Sequence, residues 1–263
     1  MQDVLDIQES GGVLRLTMNR PERLNALNPA LATALRECFQ SLYRRTDIRV
    51  IILQGAGASF CAGLDLKEQQ PGKDVGASDM LAVQYSIRDI MLAMRRCPQP
   101  IISIVQGAAS GGGFALALAS DIRLATPESR MNASFLRIGL TGCDMGVSYF
   151  LPRMVGSSVA AQFLLTGRFM DAARAHALGL VSMVAPLPDL RQEAQALAED
   201  MLRTTPLGLR LSKEALGLSL DMGSLEAVMA MEDRQQILCT QTEDFQEGLQ
   251  AFLQKRPPHY TGH

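Results

Sequence analysis

The chain reads as an α/β protein, with a core of about 190 residues followed by a helical C-terminal region. Three observations predict this: a strand, a glycine-rich loop and a helix follow one another twice, a hairpin pattern opens the chain, and only helix signals occur beyond about residue 190. The expected division is therefore residues 1–189 for the core and 190–263 for a helical region packing on the core or on a neighbouring subunit.

Taken in order, VLDIQE and VLRLTM are β-rich, and Ser10-Gly11-Gly12 between them supplies a permissive turn. Asn28 followed by Pro29 is an N-cap and first-turn signature, and Leu31, Leu35, Phe39 and Leu42 recur at helical spacing to about Arg45. RVIILQ (49–54) is a continuous apolar run suited to a strand covered on both faces. The loop GAGASFCAGLDL leads into a polar segment from Lys67 to Ser78, expected to be the most mobile part of the chain, and a helix spans about Asp79 to Arg96. IISIV (101–105) is the second buried strand, QGAASGGG the second glycine loop and FALALAS the helix it opens. Short strands are expected at 121–125 and 130–134, around the turn at Pro127. From Gly139 the pattern is mainly helical, broken at Gly156, Gly167, Gly179, Pro186–Pro188 and Pro206. Glu226 to Phe252 reads as one long amphipathic stretch, and KRPPHYTGH as a tail.

Composition narrows the chemistry. A net charge of -2 gives no basic footprint for nucleic acid. Of three histidines, His259 and His263 lie in the last five residues, which leaves only His176 in the body. A multi-histidine metal site or a serine–histidine triad is thereby disfavoured, and chemistry must rest on carboxylates or on the backbone. Cys38, Cys61, Cys97, Cys143 and Cys239 are widely spaced without a C-x-x-C pair and read as reduced thiols of a cytoplasmic protein. The acidic opening MQDVLDIQES does not resemble a secretory signal. Residues 101–120 are uncharged and long enough for a membrane span, but their glycines, serines and glutamine fit a buried strand, a loop and a small-residue helix better.

Neither glycine loop matches a phosphate cradle: GAGASFCAG lacks the Gly-Lys-Ser/Thr ending, and residues 107–113 lack the dinucleotide-binding spacing. A glycine loop that opens a helix still points unpaired N–H groups forward, and two such loops can supply converging donors for an oxyanion. The alternative is that the glycines serve only tight turns or close helix–sheet packing.

The blocks NRPERLNALNPALATAL, GAGASFCAGLDL, QGAASGGGFALALASDIRLAT and GLTGCDMGVSYFLPRMVG, in this order over about residues 14–180, resemble the crotonase (enoyl-CoA hydratase/isomerase) superfamily. The resemblance implies a spiral of ββα units with a helical C-terminal region, assembled as homotrimers or dimers of trimers. It implies an acyl-CoA thioester as substrate in fatty acid or related metabolism, and neither a separate cofactor nor a metal. By the same resemblance the N–H groups of Leu64 and Gly112 are the two oxyanion donors, beside Ala62 and Gly63. Leu64, Asp65, Leu66 and Lys67 match the adenine-binding turn, and Arg23, Leu24 and Ala26, in the Arg23-Leu24-Asn25-Ala26 turn, match the place of the CoA ribose and pantetheine. Lys255 is a candidate for CoA phosphates, or a solvated helix end.

The chain departs from the hydratase pattern. The two positions where hydratases of the family carry water-holding glutamates read Ala115 and Leu136, or Phe135 with one inserted residue. None of these can move a proton. Glu128 reads as a solvated turn acid. Asp144, twelve residues before Gly156, matches the register of an active-site aspartate in dienoyl-CoA isomerases and 4-chlorobenzoyl-CoA dehalogenases. It stands either as a proton-shuttling base for isomerisation or as a helix N-cap. Few aromatics and no tryptophan disfavour a stacked aryl pocket, and hence dehalogenation. The expectation is an enoyl-CoA hydratase/isomerase family enzyme; the alternative is a catalytically silent acyl-CoA-binding protein.

Overall fold

A computed structural model describes residues 3–68 and 76–263. Strands β1 (Leu5–Ser10) and β2 (Val13–Met18) form the expected hairpin, with Ser10 opposite Val13. Gly11 and Gly12 both have positive φ, the requirement of a two-residue turn that follows the strand twist. Helix α1 (Pro29–Ser41) is capped by the Asn28 side chain, which accepts from the Leu31 N–H. It buries Leu31, Leu35 and Phe39, each worth about 1.5–3 kcal/mol. Strand β3 (Val50–Gly55), helix α2 (Ala77–Arg96) and strand β4 (Ile101–Val105) follow close to the predicted bounds. Most of the Lys67–Ser78 segment lies outside the described residues.

After β4 the chain alternates between two sheets. Strand β5 (Ala108–Ser110) leads into helix α3 (Gly112–Ala119), and then come β6 (Ile122–Ala125) and β7 (Arg130–Asn132). Helices α4 (Val147–Val155) and α5 (Ser157–Thr166), strand β8 (Met170–Asp171), helix α6 (Ala172–Ala177) and strand β9 (Met183–Val184) complete the alternation. The larger sheet has the order β1-β2-β3-β4-β6-β9, parallel except for the hairpin, and the smaller has β5-β7-β8. Single bridges Leu27–Leu64 and Cys61–Ala109 extend the smaller sheet toward the start of α1. The predicted loop QGAASGGG thus contains a strand, and the region after Gly139 contains two. All three are two or three residues long, too short to show a period of two.

Every residue of α3 is buried, so the stretch 101–120 is the centre of the molecule. No described helix is long and apolar enough to cross a membrane. The expected division at 189/190 falls inside α7 (Leu187–Leu202), whose Leu190, Ala194 and Ala198 pack on Val50, Ile52, Ile102 and Ile104 of the larger sheet. Helix α8 (Pro206–Ser219) is tied on through one buried residue, Lys213, whose ammonium meets Asp121 at 2.8 Å and the Gln99 carbonyl at 2.7 Å. The amphipathic stretch from Glu226 to Phe252 is divided between two helices, α9 (Leu225–Thr240) and α10 (Glu243–Gln254). Thr242 breaks it by capping α10 at the Phe245 N–H. The tail folds back, with the Thr261 and Gly262 N–H groups donating to the buried Asp244 carboxylate.

Candidate active site

Leu64 owes its free N–H to the pairing of the smaller sheet. The Leu27 N–H donates to the Gly63 carbonyl at 2.7 Å and the Asp65 N–H to the Leu27 carbonyl at 2.9 Å. In such a parallel bridge the N–H of the intervening residue, Leu64, points to the opposite side. There the neighbouring chain pairs with Cys61, through Cys61 N–H to the Ala108 carbonyl and Ser110 N–H to the Cys61 carbonyl, and then leaves the sheet to begin α3. Gly112 is the first residue of α3, so its N–H has no intrahelical acceptor. Among the described residues neither N–H donates to a protein acceptor.

The glycines make this approach possible. A side chain on Gly63 would stand 2.7 Å from the Ser110 carbonyl oxygen and 3.5 Å from the Gly112 nitrogen, and its φ of +97° is closed to most residues. One on Gly113 would fall 2.0 Å from the Cys61 carbonyl oxygen, so α3 starts directly on the other loop. Cys61 is buried at this contact, and burial pushes its thiol up to about 12, leaving it a packing residue.

The loop before Leu64 is anchored from below. Arg20, buried, donates to Asp65 at 3.0 Å, to Glu68 at 2.6 Å and to the Ala26 carbonyl. Burial works against the charged form of Asp65, but the hydrogen bonds from Arg20 and from the Glu68 and Lys67 N–H groups outweigh it and hold the carboxyl below its usual range. The Asp65 side chain is therefore committed to this anchor. Asn25, also buried, joins the Ala56 and Ser59 carbonyls to the Arg20 N–H. Leu24 and Asn25 both have positive φ, and the Leu24 carbonyl accepts from the Ala62 N–H at 3.0 Å, locking the first turn to the glycine loop. Arg23, Leu24, Leu66 and Lys67 are exposed around this junction, Ala62 and Leu64 are half-buried, and Ala26 and Gly63 are buried.

Asp144 is not a helix cap. The N-cap position of α4 is Gly146, without a side-chain bond. The half-buried Asp144 carboxylate instead accepts at Oδ1 from the Met145 N–H at 2.7 Å and from Gln84 Nε2 of α2 at 2.5 Å. Met145 has a φ of +49°, and its buried side chain reaches back so that its sulfur stands 3.2 Å from where a Gly112 side chain would begin. One residue thus links Asp144 to Gly112.

Ala115 is fully buried on α3, and Leu136 is half-buried in a 3-10 helix (Ser134–Ile138), with no carboxylate at either position. Glu128 is exposed in the turn after Pro127, and Lys255 is exposed at the left-handed end of α10. His176 Nδ1 lies 2.9 Å from the Val181 carbonyl. A groove of about 560 Å³ between the C-terminal halves of α1 and α2 does not include Leu64, Gly112 or Asp144. Among the described residues, no group of three or more His, Cys, Asp and Glu is placed to hold a metal ion. The residues sequence reasoning missed are Arg20, isolated in sequence from its partners, and Gln84, whose helix face carries no motif.

Two sheets joined at a glycine-rich helix start, where two N–H groups have no protein acceptor among the described residues, define the class of fold. The family model for enoyl-CoA hydratase/isomerase matches residues 8–263. The chain is 35% identical, over 95% of both chains, to the 1,2-epoxyphenylacetyl-CoA isomerase of Escherichia coli K12. It superimposes on the enoyl-CoA hydratase of Bacillus anthracis with a TM-score of 0.93 at 32% identity, covering 99% of this chain and 100% of that one. An enoyl-CoA hydratase from Polaromonas sp. JS666 gives 0.91 at 31% identity, over 98% and 99%. The protein belongs to the enoyl-CoA hydratase/isomerase family and has the crotonase fold.

Proposed function

We propose that this enzyme isomerises an enoyl-CoA thioester, with the N–H groups of Leu64 and Gly112 as oxyanion donors and Asp144 as the base. The thioester oxygen sits between the two N–H groups. Asp144 takes a proton from carbon 2 or carbon 4, the C–H electron pair moves into the enolate, and the proton returns at the other carbon. Each donor is worth about 2.7–4 kcal/mol when charge develops on the oxygen. The observation that carries the reading is the link through Met145, which ties the Asp144 carboxylate to the residue packed on Gly112. Apolar residues at Ala115 and Leu136 argue against hydration by paired glutamates.

The CoA moiety lies along Arg23, Leu24 and Ala26 and along Ala62 to Lys67, with Asp65 contributing backbone only. No further cofactor is needed, because the thioester itself makes the proton acidic. The protein works in the cytoplasm as a trimer or dimer of trimers. Exposed Leu216, Leu220, Leu225, Ile237, Phe252 and Leu253 on and around α8 to α10 support assembly, since monomers rarely expose so much apolar surface. Light scattering gives the mass that checks this.

The decisive experiment follows deuterium entry at carbon 2 and carbon 4 of enoyl-CoAs in heavy water. The natural protein exchanges, and Asp144→Asn loses about 10²–10⁴-fold in rate. Binding of the thioester without exchange would instead establish the second reading, a silent acyl-CoA-binding protein, which Ala115 and Leu136 favour.

A further inference from the structure

We propose that Gln84 is the positioning residue for the Asp144 base, holding one carboxylate oxygen so that the other is presented to the substrate in a fixed orientation. The inference rests on the assignment of Asp144 as base. Two donors converge on one oxygen: Gln84 Nε2 at 2.5 Å and the Met145 N–H at 2.7 Å both reach Oδ1. Among the described residues no donor reaches Oδ2, which is left for the substrate proton. The local donor cannot set this geometry by itself. Met145 is the next residue in the chain, so its N–H turns with the Asp144 backbone, whereas Gln84 approaches from α2, sixty residues away. The two contacts together fix the carboxylate plane.

The choice of an amide has a chemical reason. A guanidinium against a carboxylate suppresses proton uptake, as Arg20 does at Asp65. An amide orients the carboxylate by a hydrogen bond without setting a full counter-charge beside it. Gln84 stands two turns into α2, where hydrogen bonds of the helix backbone hold its Cα, so orientation is inherited from the fold rather than from the loop.

The test uses the full-length protein with a 3-enoyl-CoA in heavy water, following deuterium entry at carbon 2 by mass spectrometry. Gln84→Met keeps the side-chain length and helix propensity and removes the donor. We expect kcat for exchange to fall about tenfold to a hundredfold, with KM within about twofold of the natural value. In an Asp144→Asn background, Gln84→Met should cause no further loss, because the amide then has no base to position. Gln84→Leu, which also removes the donor and keeps helix propensity, should show the same loss and covers the case that the methionine variant folds poorly.

A folded Gln84→Met protein with natural kcat overturns the inference while leaving Asp144 as the base. Equal losses on the Asp144 and Asp144→Asn backgrounds also overturn it, since Gln84 would then act by another route. Full exchange by Asp144→Asn alone overturns the base assignment, and the positioning role with it.

Discussion

The Leu64 loop and the Asp144 segment approach the same glycine, Gly112, and are held in opposite ways. Leu64 sits on backbone bridges to Leu27 and is braced by a buried arginine with three acceptors. Asp144 sits on a half-buried turn, with one side-chain contact from another element and one from its own neighbour. The Leu64 N–H is set by backbone pairing in the smaller sheet and the Gly112 N–H by the start of a buried helix, so no side-chain substitution short of proline removes either. An acid on a turn can be replaced while that backbone stays, so the first segment is set by the architecture and the second by its side chains.

The largest effect that tests this contrast is on stability. Arg20→Ala leaves the buried Asp65 carboxylate unpaired and should cost about 3–5 kcal/mol, read from the urea midpoint. An unchanged midpoint would mean that the loop is not anchored there. Asp144→Asn, by contrast, should leave stability within about 0.5 kcal/mol.

On activity, Gly112→Pro removes the N–H where a helix start tolerates proline, and should cost about 2.7–4 kcal/mol in transition-state stabilisation. Gly112→Ala is the control. It keeps the donor and adds a methyl group 2.9 Å from Leu27 and 3.2 Å from the Met145 sulfur, both flexible side-chain ends. Equal kcat/KM losses in the two folded variants would remove this donor from the account.

A smaller effect is pH-dependent. The folded-state carboxyl of Asp65 is held below its unfolded value, near about 3.9. The pair therefore contributes its full stability above that value and loses it as pH falls through the folded one. The stability gap between the natural protein and Asp65→Asn should narrow below about pH 3.9 in urea melts, and a gap constant to lower pH would contradict the shift. Smallest is Glu68→Gln: Glu68 keeps 41% side-chain exposure, so losing its bond to Arg20 should cost less than about 1 kcal/mol.

Much of the fold was legible. Asn28-Pro29, Gly11-Gly12 and the apolar runs at β3 and β4 carry local reasons for their structure, and each element lies where those reasons put it. Strands β5, β8 and β9 were not legible, because two or three residues hold no periodicity and exist only through pairing. The split at Thr242 was missed because apolar spacing alone is blind to a cap. In the site, Leu64 and Gly112 were named from glycine loops and family resemblance. Their proximity could not be, since it depends on a carbonyl of one loop meeting the helix start of the other.

By itself, then, the sequence determined the fold, the family and the poverty of side-chain chemistry: one body histidine and apolar residues at both glutamate positions. These are local or pattern properties, written in residue type and spacing. Only the tertiary structure decided that Asp144 is not a cap, that Asp65 is spent on Arg20, and that Gln84 meets the remaining acid. The last two are contacts between residues 45 and 60 positions apart, and hydrogen bonds of that reach depend on where whole elements pack.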